Sequence, residues 1–200
     1  MKVDVLPIGL YQENIYVLHD HDHVLIVDPG AHAREIAKVI SKEETVDGIL
    51  LTHGHEDHTG AVDDVVDMYH CPVYMHMADI PLVDSSSRQR TAYSDPIYSP
   101  VTPLPEGKTH IGTFDLNVYS TPGHTAGSVC VQYRNLLFSG DTLFAGSCGR
   151  TDLFSGNETQ MLQSLVFLST LPNDLIVLPG HGPRTTIKQE KQTNYFMKGM

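Results

Sequence analysis

Short apolar runs and helical stripes alternate along the first third of the chain. Runs of β-branched and apolar residues predict strands, and the polar segment 19–23 between two of them predicts a hairpin. Apolar residues spaced three and four apart predict amphipathic helices over 33–40 and 62–69. The strands predicted in this part are 1–7, 15–18, 24–27, 49–52 and 73–75. This alternation is typical of an α/β protein.

The pattern changes after residue 77. Five prolines and a run of three serines predict that Ala78–Lys108 is a long irregular connection over the surface. Strands are then predicted at 114–119, 129–133, 136–139 and 175–178. A helix with Asn157 as its N-cap residue is predicted before the last of these strands, and a polar helix after it. At 200 residues and 22.1 kDa, the chain is expected to form a single domain over 1–200.

Composition excludes several classes of protein. With 40% hydrophobic and 18% charged residues the chain reads as globular, and no apolar run approaches the roughly 20 residues of a membrane helix. A net charge of −11 disfavours nucleic-acid binding through phosphate neutralisation. The three cysteines form no C-x-x-C motif, so reduced thiols are expected. Because an acid and a proline stand where a signal peptide has its apolar stretch, we expect a cytoplasmic protein.

The densest chemical signal lies directly after the strand at 49–52. The sequence Thr52-His53-Gly54-His55-Glu56-Asp57-His58 places three imidazoles and an aspartate within six residues. In an extended segment His53 and His55 point the same way, so both can hold one ion. Asp57 and His58 are expected at the start of the helix at 62–69, turned toward a second position. Nitrogen and oxygen donors without thiolate suit zinc, iron, manganese or nickel.

Three further candidate ligands follow strands at glycine-containing loops. They are His124, Asp141 and His181. The segment Thr121-Pro122-Gly123-His124 resembles Thr52-His53-Gly54-His55, which favours two similar loops meeting at one edge of a sandwich of sheets. The full set of five histidines and two aspartates is sufficient for two ions that share a carboxylate.

These motifs, in this order, resemble those of the metallo-β-lactamase superfamily. The resemblance extends from Asp28-Pro29-Gly30 to Gly182. It implies an αββα sandwich of two mixed sheets flanked by helices, with two divalent ions at one edge, Zn²⁺ by preference and iron or manganese as alternatives. It assigns one ion to His53, His55 and His124, the other to Asp57, His58 and His181, and the bridging position to Asp141. Glu56 matches no ligand position.

Two stretches indicate which group within the superfamily the chain resembles. Gly140–Phe144 followed by Gly149–Leu153 looks like the small glyoxalase II-like hydrolases, and only residues 182–200 follow His181, so no C-terminal glutathione-binding domain is expected. The resemblance implies a small-molecule substrate, a thioester cleaved at a dinuclear centre, with Asp57 as a metal ligand and candidate proton relay. A thiol has a reference pKa of ~8.5, so a thiolate leaves with little help from an acid.

Arg150 is the candidate substrate-binding residue. A guanidinium binds a carboxylate with two hydrogen bonds, which favours an anionic thioester. Residues 181–200 add four cations against one carboxylate. The alternative is that Arg150 pairs with Asp152 or Asp141 and only fixes its loop.

Other functions remain open at the level of sequence. A persulfide dioxygenase with one iron on His53, His124 and Asp141 is the main alternative, followed by a lactonase or phosphodiesterase and by a binding protein without activity. The His/Asp run at 19–23 is interpreted as a solvated turn rather than a metal site. Cys148 is close enough in sequence to face the site, whereas Cys71 and Cys130 are expected in the core.

Overall fold

The first of two sheets is built by the N-terminal half of the chain. The computed structural model describes residues 1–87 and 91–199. The strands of this sheet, in spatial order, are β1 (Lys2–Ile8), β2 (Glu13–Asp20), β3 (His23–Val27), β4 (Thr45–Leu51), β5 (Val73–Met75) and β6 (Val101–Pro103). The first three pair antiparallel, and β3 to β6 pair parallel. The hairpin predicted between the second and third strands is confirmed.

The second sheet is built by the C-terminal half. Its strands, in chain order, are β7 (Gly107–Ile111), β8 (Phe114–Ser120), β9 (Val129–Tyr133), β10 (Leu136–Gly140), β13 (Ile176–Pro179) and β14 (Thr185–Thr186). They lie in the order β14-β13-β10-β9-β8-β7, with β10 and β13 parallel and the other pairs antiparallel. A separate small hairpin is formed by β11 (Leu143–Phe144) and β12 (Ser147–Cys148).

The described helices cover the outer faces of the sheets or carry site residues. They are α1 (Ala33–Ala37), α2 (Glu56–Thr59), α3 (Val62–Tyr69), α4 (Ile80–Val83), α5 (Glu158–Ser169) and α6 (Ile187–Thr193). The predicted N-cap Asn157 accepts the Gln160 N–H at 3.0 Å. The predicted helix at 33–40 ends early, because the N–H groups of Lys38 and Val39 bond to carbonyls three residues back. None of the described helices is long and apolar enough to span a membrane.

The molecule has four layers: α1 and α3, the first sheet, the second sheet, and α5 and α6. An apolar cluster lies between each pair of neighbouring layers. Strands β2 and β3 are buried on both faces, so alternate side chains enter different clusters. Ile15 and Val17 pack with residues of α1 and α3, while Tyr16 and Leu18 pack against the second sheet. A third cluster joins the outer face of the second sheet to α5 and α6. The predicted αββα sandwich is thereby confirmed.

The prediction for Ala78–Lys108 is wrong in part. The segment contains the helix α4 and the strand β6, and β7 begins within it, while residues 88–90 lie outside the described residues. The strand was missed because it is three residues long and ends in Pro103. Proline is tolerated there because β6 is the edge strand of its sheet.

The interpretation of 19–23 as a solvated turn is also wrong in part. His19 is buried and places Nδ1 2.7 Å from Glu44 Oε1 and Nε2 3.1 Å from Asp4 Oδ2. His23 places Nδ1 2.7 Å from Asp47 Oδ1. Each histidine therefore binds its own carboxylate partners, and only the tip of the hairpin is exposed. Cys71 and Cys130 are buried as predicted.

Candidate metal centre

The seven candidate ligands lie at one edge of the sandwich. Strands β4, β8, β10 and β13 each end at this edge, and the loop after each strand carries one part of the set. The parallel pair β10 and β13 belongs to the second sheet, and β4 belongs to the first. The two halves of the chain therefore contribute ligands to the same place, as the similarity of their loops predicts.

His53, His55 and His124 form the first cluster. One nitrogen from each ring lies within 4.8 Å of the others, and all three side chains are buried. His55 Nδ1 is 2.8 Å from His124 Nε2. The opposite nitrogen of His124, Nδ1, is 2.7 Å from the Arg150 carbonyl oxygen, which fixes the ring and directs Nε2 into the cluster.

Asp57, His58 and His181 form the second cluster, again with donor atoms within 4.8 Å of one another. Asp57 and His58 lie in α2, a short helix separate from α3, and not in the helix at 62–69 as predicted. The loop that carries His181 is fixed by Asn14, whose Nδ2 donates to the carbonyls of Pro179 and Gly182 at 3.0 and 2.8 Å. Two ligands of this cluster are thus positioned by α2, and the third by a loop that Asn14 fixes.

Asp141 lies between the two clusters. Its Oδ1 is 3.3 Å from His58 Nε2, and its Oδ2 is 3.6 Å from both His124 Nε2 and His181 Nε2. The neighbouring loop has to approach closely, since a Cβ on Gly180 would lie 2.6 Å from His58 Cε1. One carboxylate therefore reaches donor atoms of both clusters.

Asp28, named from the sequence only as the start of the resembling stretch and without a role, lies behind the first histidine motif and supports it. Its carboxylate accepts the Thr52 N–H at 2.7 Å and the Thr52 hydroxyl at 2.6 Å, and lies 2.9 Å from His58 Nδ1. This contact orients His58 so that Nε2 faces Asp141. Glu13, also buried, was likewise missed and lies 3.9 Å from His58 Nδ1.

The two clusters differ in their electrostatics. Burial, together with the neighbouring imidazole of His124, lowers the pKa of His55 to about 4. Burial and the surrounding imidazoles also lower the pKa of His53 well below its ordinary value. Burial alone would lower the pKa of His58 too, but the carboxylates of Asp141 and Asp28 outweigh it and raise that pKa well above its ordinary value. His53 and His55 are therefore neutral, the form that binds metals.

Three buried atoms that could bind a metal have no hydrogen-bond partner, and they show whether the site fits a metal ion. His53 Nε2, His58 Nε2 and Asp141 Oδ1 are buried and make no hydrogen bond within residues 1–87 and 91–199, although the last two atoms face each other at 3.3 Å. Buried polar atoms normally have a partner, because an unpaired one costs about 1–3 kcal/mol. These three atoms converge on the region between the clusters. The donor set therefore fits divalent metal ions.

A cleft of about 470 Å³ opens over the clusters. Ligand residues form its floor, and Tyr11, Tyr93 and Leu153 contribute to its walls. The Arg150 side chain also lines it and forms two bonds to Asp152, at 2.7 and 2.8 Å. None of the four cations counted at 181–200 is among the described residues that line the cleft. His181 is the one described residue of that stretch that lines it.

Comparison with known proteins shows the family. The model of the metallo-β-lactamase superfamily matches residues 8–181. The chain is 38% identical to the probable metallo-hydrolase YqgX of Bacillus subtilis, over 100% of this chain and 99% of that protein. It is 33% identical to a hydroxyacylglutathione hydrolase of Nitrosomonas europaea, over 90% of this chain and 63% of that protein. The chain belongs to the metallo-β-lactamase superfamily, whose members bind divalent metals, and both relatives given above are hydrolases by name.

Solved structures agree with this assignment. The crystal structure of BLEG-1 B3 metallo-β-lactamase is 41% identical with a TM-score of 0.89, and the match covers 99% of this chain and 100% of that one. TTHA1623 in a di-iron-bound form is 36% identical with a TM-score of 0.82, over 94% and 97%. ETHE1 from Myxococcus xanthus is 25% identical with a TM-score of 0.80, over 98% and 84%.

The support from Asp28 generates a prediction about stability. Asp28→Ala leaves the Thr52 N–H, the Thr52 hydroxyl and His58 Nδ1 without their acceptor. We therefore expect the free energy of unfolding to fall by about 3 kcal/mol or more. Urea unfolding with a chelator present measures this without a contribution from metal binding. Asp28 has a φ of 51°, where alanine is strained, so Asp28→Gly serves as the control. Near-wild-type stability of the glycine variant would assign the loss to strain and contradict the prediction.

Proposed function

We propose that this protein is a dinuclear metal-dependent hydrolase that cleaves an anionic thioester. The observation that carries the proposal is the position of Asp141, whose carboxylate faces donor atoms of both clusters. In this proposal His53, His55 and His124 hold one ion, Asp57, His58 and His181 hold the other, and Asp141 bridges them. Zn²⁺ is the preferred ion, with iron or manganese as alternatives, and the di-iron form of the similar TTHA1623 supports occupancy by two ions.

The chemistry follows from the donor set and the cleft. When bound, the two ions would acidify a water molecule and polarise the carbonyl oxygen of the substrate. Asp57 lines the cleft, and its carboxylate oxygen is 3.3 Å from His181 Nε2. In this proposal Asp57 is the candidate proton relay as well as a metal ligand, because its carboxylate lines the cleft. A thiolate leaves with little help from a proton donor, so a thioester would need no dedicated acid in this cleft.

Similarity to the hydroxyacylglutathione hydrolase supports a thioester, and two other activities have a specific observation in their favour. The dioxygenase alternative, with one iron on His53, His124 and Asp141, is favoured by the 3.6 Å approach of Asp141 Oδ2 to His124 Nε2. BLEG-1 is named a metallo-β-lactamase and covers the whole chain, which supports hydrolysis of a β-lactam amide. The three activities differ in leaving group and metal count, so assays separate them.

Turnover assays on metal-loaded protein test the reaction. We expect hydrolysis of S-lactoylglutathione or of short acyl thioesters, measured by thiol release, at a kcat/KM well above that for a chromogenic cephalosporin. An oxygen electrode with glutathione persulfide tests the dioxygenase in parallel. Oxygen uptake, or faster turnover of the cephalosporin than of every thioester, would overturn the proposed substrate class.

Metal analysis after dialysis tests the ligand set. We expect about two ions per chain in the wild type, because the donor set is complete for two sites. Asp141→Ala should lower the metal occupancy of both sites, because the Asp141 carboxylate is proposed to bind both ions. His181→Ala should remove only the ion of the second cluster. Glu56→Gln is the matched control, because Glu56 lies in the same motif and lines the cleft but belongs to neither cluster. A single tightly held iron that survives His181→Ala would favour the dioxygenase.

Steady-state kinetics test the role of Arg150. If its guanidinium binds substrate, Arg150→Gln should raise KM for carboxylated thioesters several-fold more than for neutral ones. Metal content should not change, because His124 contacts the Arg150 backbone oxygen and not its side chain. Asp152→Asn is the matched control, since it frees the guanidinium from its partner and should not raise KM. An equal loss for both kinds of substrate would assign Arg150 to fixing its loop.

A further inference from the structure

Asp79 is a fully buried carboxylate in the segment that sequence alone predicts to be a surface connection. It stands at the N-cap position of α4, yet its side chain makes no bond to that helix. Aspartate at this position usually caps the following helix. The carboxylate is therefore available to hydrogen-bond with groups outside its own helix.

The side chain instead accepts three hydrogen bonds from the two loops of the first cluster. Oδ2 accepts the Gly54 N–H at 2.9 Å and the Thr125 hydroxyl at 2.7 Å. Oδ1 accepts the Gly127 N–H at 2.7 Å. Gly54 lies between His53 and His55, and Thr125 directly follows His124. One carboxylate thus joins the backbone of the first histidine motif to the loop of His124.

Glycines of both loops pack closely against Asp79 or the helix that follows it. A Cβ on Gly127 would lie 2.6 Å from Asp79 N and Oδ1, so a larger residue could not make the same approach. A Cβ on Gly54 would lie 3.1 Å from Leu82 Cβ, in the helix that Asp79 begins. Gly127 is therefore needed for its loop to approach Asp79 closely, whereas a side chain at Gly54 would require Leu82 to shift by a few tenths of an ångström.

All three donors require an acceptor, and a carboxylate presents acceptors on both oxygens. An asparagine has the same shape, but in either orientation its NH₂ group faces at least one N–H or O–H donor. Asp79→Asn therefore opens the junction between the loops without changing side-chain volume. The second cluster is unaffected, because Asp57, His58 and His181 make no contact with Asp79 among the hydrogen bonds of the described residues.

We propose that Asp79 is a positioning residue for the first metal site, fixing the separation between the pair His53 and His55 and the third ligand His124. The inference rests on the ligand set of the proposed function. It predicts a selective effect, in which one of two ions is bound more weakly and the other is unchanged. Loss of supporting hydrogen bonds around a metal site typically lowers affinity about 10- to 100-fold.

Metal titration tests this. Apoprotein is titrated with Zn²⁺ against a chromophoric chelator, and with Co²⁺ while its visible absorption is recorded, because the absorption reports ligand geometry. For Asp79→Asn we expect the affinity of one ion to fall at least about tenfold, with a changed Co²⁺ spectrum at that site. The affinity of the other ion should match the wild type. Thr125→Val, which removes one of the three bonds, should weaken the same ion to a smaller degree, and Thr125→Ser should restore it.

Asp47→Asn is the matched control. The Asp47 side chain is 5% exposed, and its carboxylate contacts the Thr113 N–H, the Thr113 hydroxyl and His23 Nδ1 at 2.6, 2.8 and 2.7 Å. It lies near the start of β4, whereas the first histidine motif follows the end of that strand. Asp47→Asn should therefore reduce stability without changing either metal affinity.

The outcomes separate the positioning role from a purely structural one. Wild-type affinities and Co²⁺ spectra in both Asp79→Asn and Thr125→Val would overturn the proposal. Equal weakening of both ions would overturn it as well, because it would indicate general loosening of the fold. The proposed function fails separately, if wild-type protein cleaves no thioester or holds one ion. Weakening of that single ion by Asp79→Asn would still support the inference, and wild-type protein that binds no ion would overturn both.

Discussion

The candidate site depends on the hydrogen bonds of Thr52, the residue that follows β4. Its N–H and hydroxyl donate to Asp28 at the end of β3, at 2.7 and 2.6 Å. Its carbonyl oxygen accepts the Val129 N–H from the second sheet at 2.9 Å. Thr52 is 1% exposed, so none of these groups could bond to water instead. The residue before His53 is thus bound to both sheets, and the position of the first histidine follows from the packing of the sandwich.

The imidazoles are crowded enough that their protonation states depend on one another. The ring centroid of His53 is 4.9 Å from that of His55, 4.2 Å from that of His58 and 4.8 Å from that of His124. Positive charge on all of these rings at once would be strongly unfavourable in a buried site. The carboxylates of Asp28 and Asp141 lie next to His58 and attract positive charge to that side. The fold therefore separates a cluster of nitrogen donors from one that mixes nitrogen and oxygen donors.

Much of this site could be predicted from sequence because its ligands follow strands. A strand shows as an apolar run, and a glycine and a histidine after it mark the loop, so His53, His124 and His181 were found without the fold. Asp28, Asp79 and Glu13 were not, because their partners lie far away in the chain. Asp79 reaches Gly127 across 48 residues, and no periodic pattern records such a contact. The strand β6 was missed for a different reason, since it is too short to form a pattern.

Four acids with buried side chains change what the net charge of −11 means for substrate binding. Asp28, Asp47, Asp79 and Glu190 each accept hydrogen bonds from the surrounding chain, so their charges are satisfied within the protein and do not face a substrate. The local charge of the cleft is what an anionic substrate meets. There Arg150 is paired with Asp152, and Glu56 and Asp57 add negative charge. In the proposed dinuclear state, two divalent ions bring four positive charges to this floor and reverse its sign. On the proposed function, this acidic chain would bind an anionic substrate only once the metal sites are filled. The ligand loops that Asp28 and Asp79 hold would then be a condition for substrate binding as well as for catalysis.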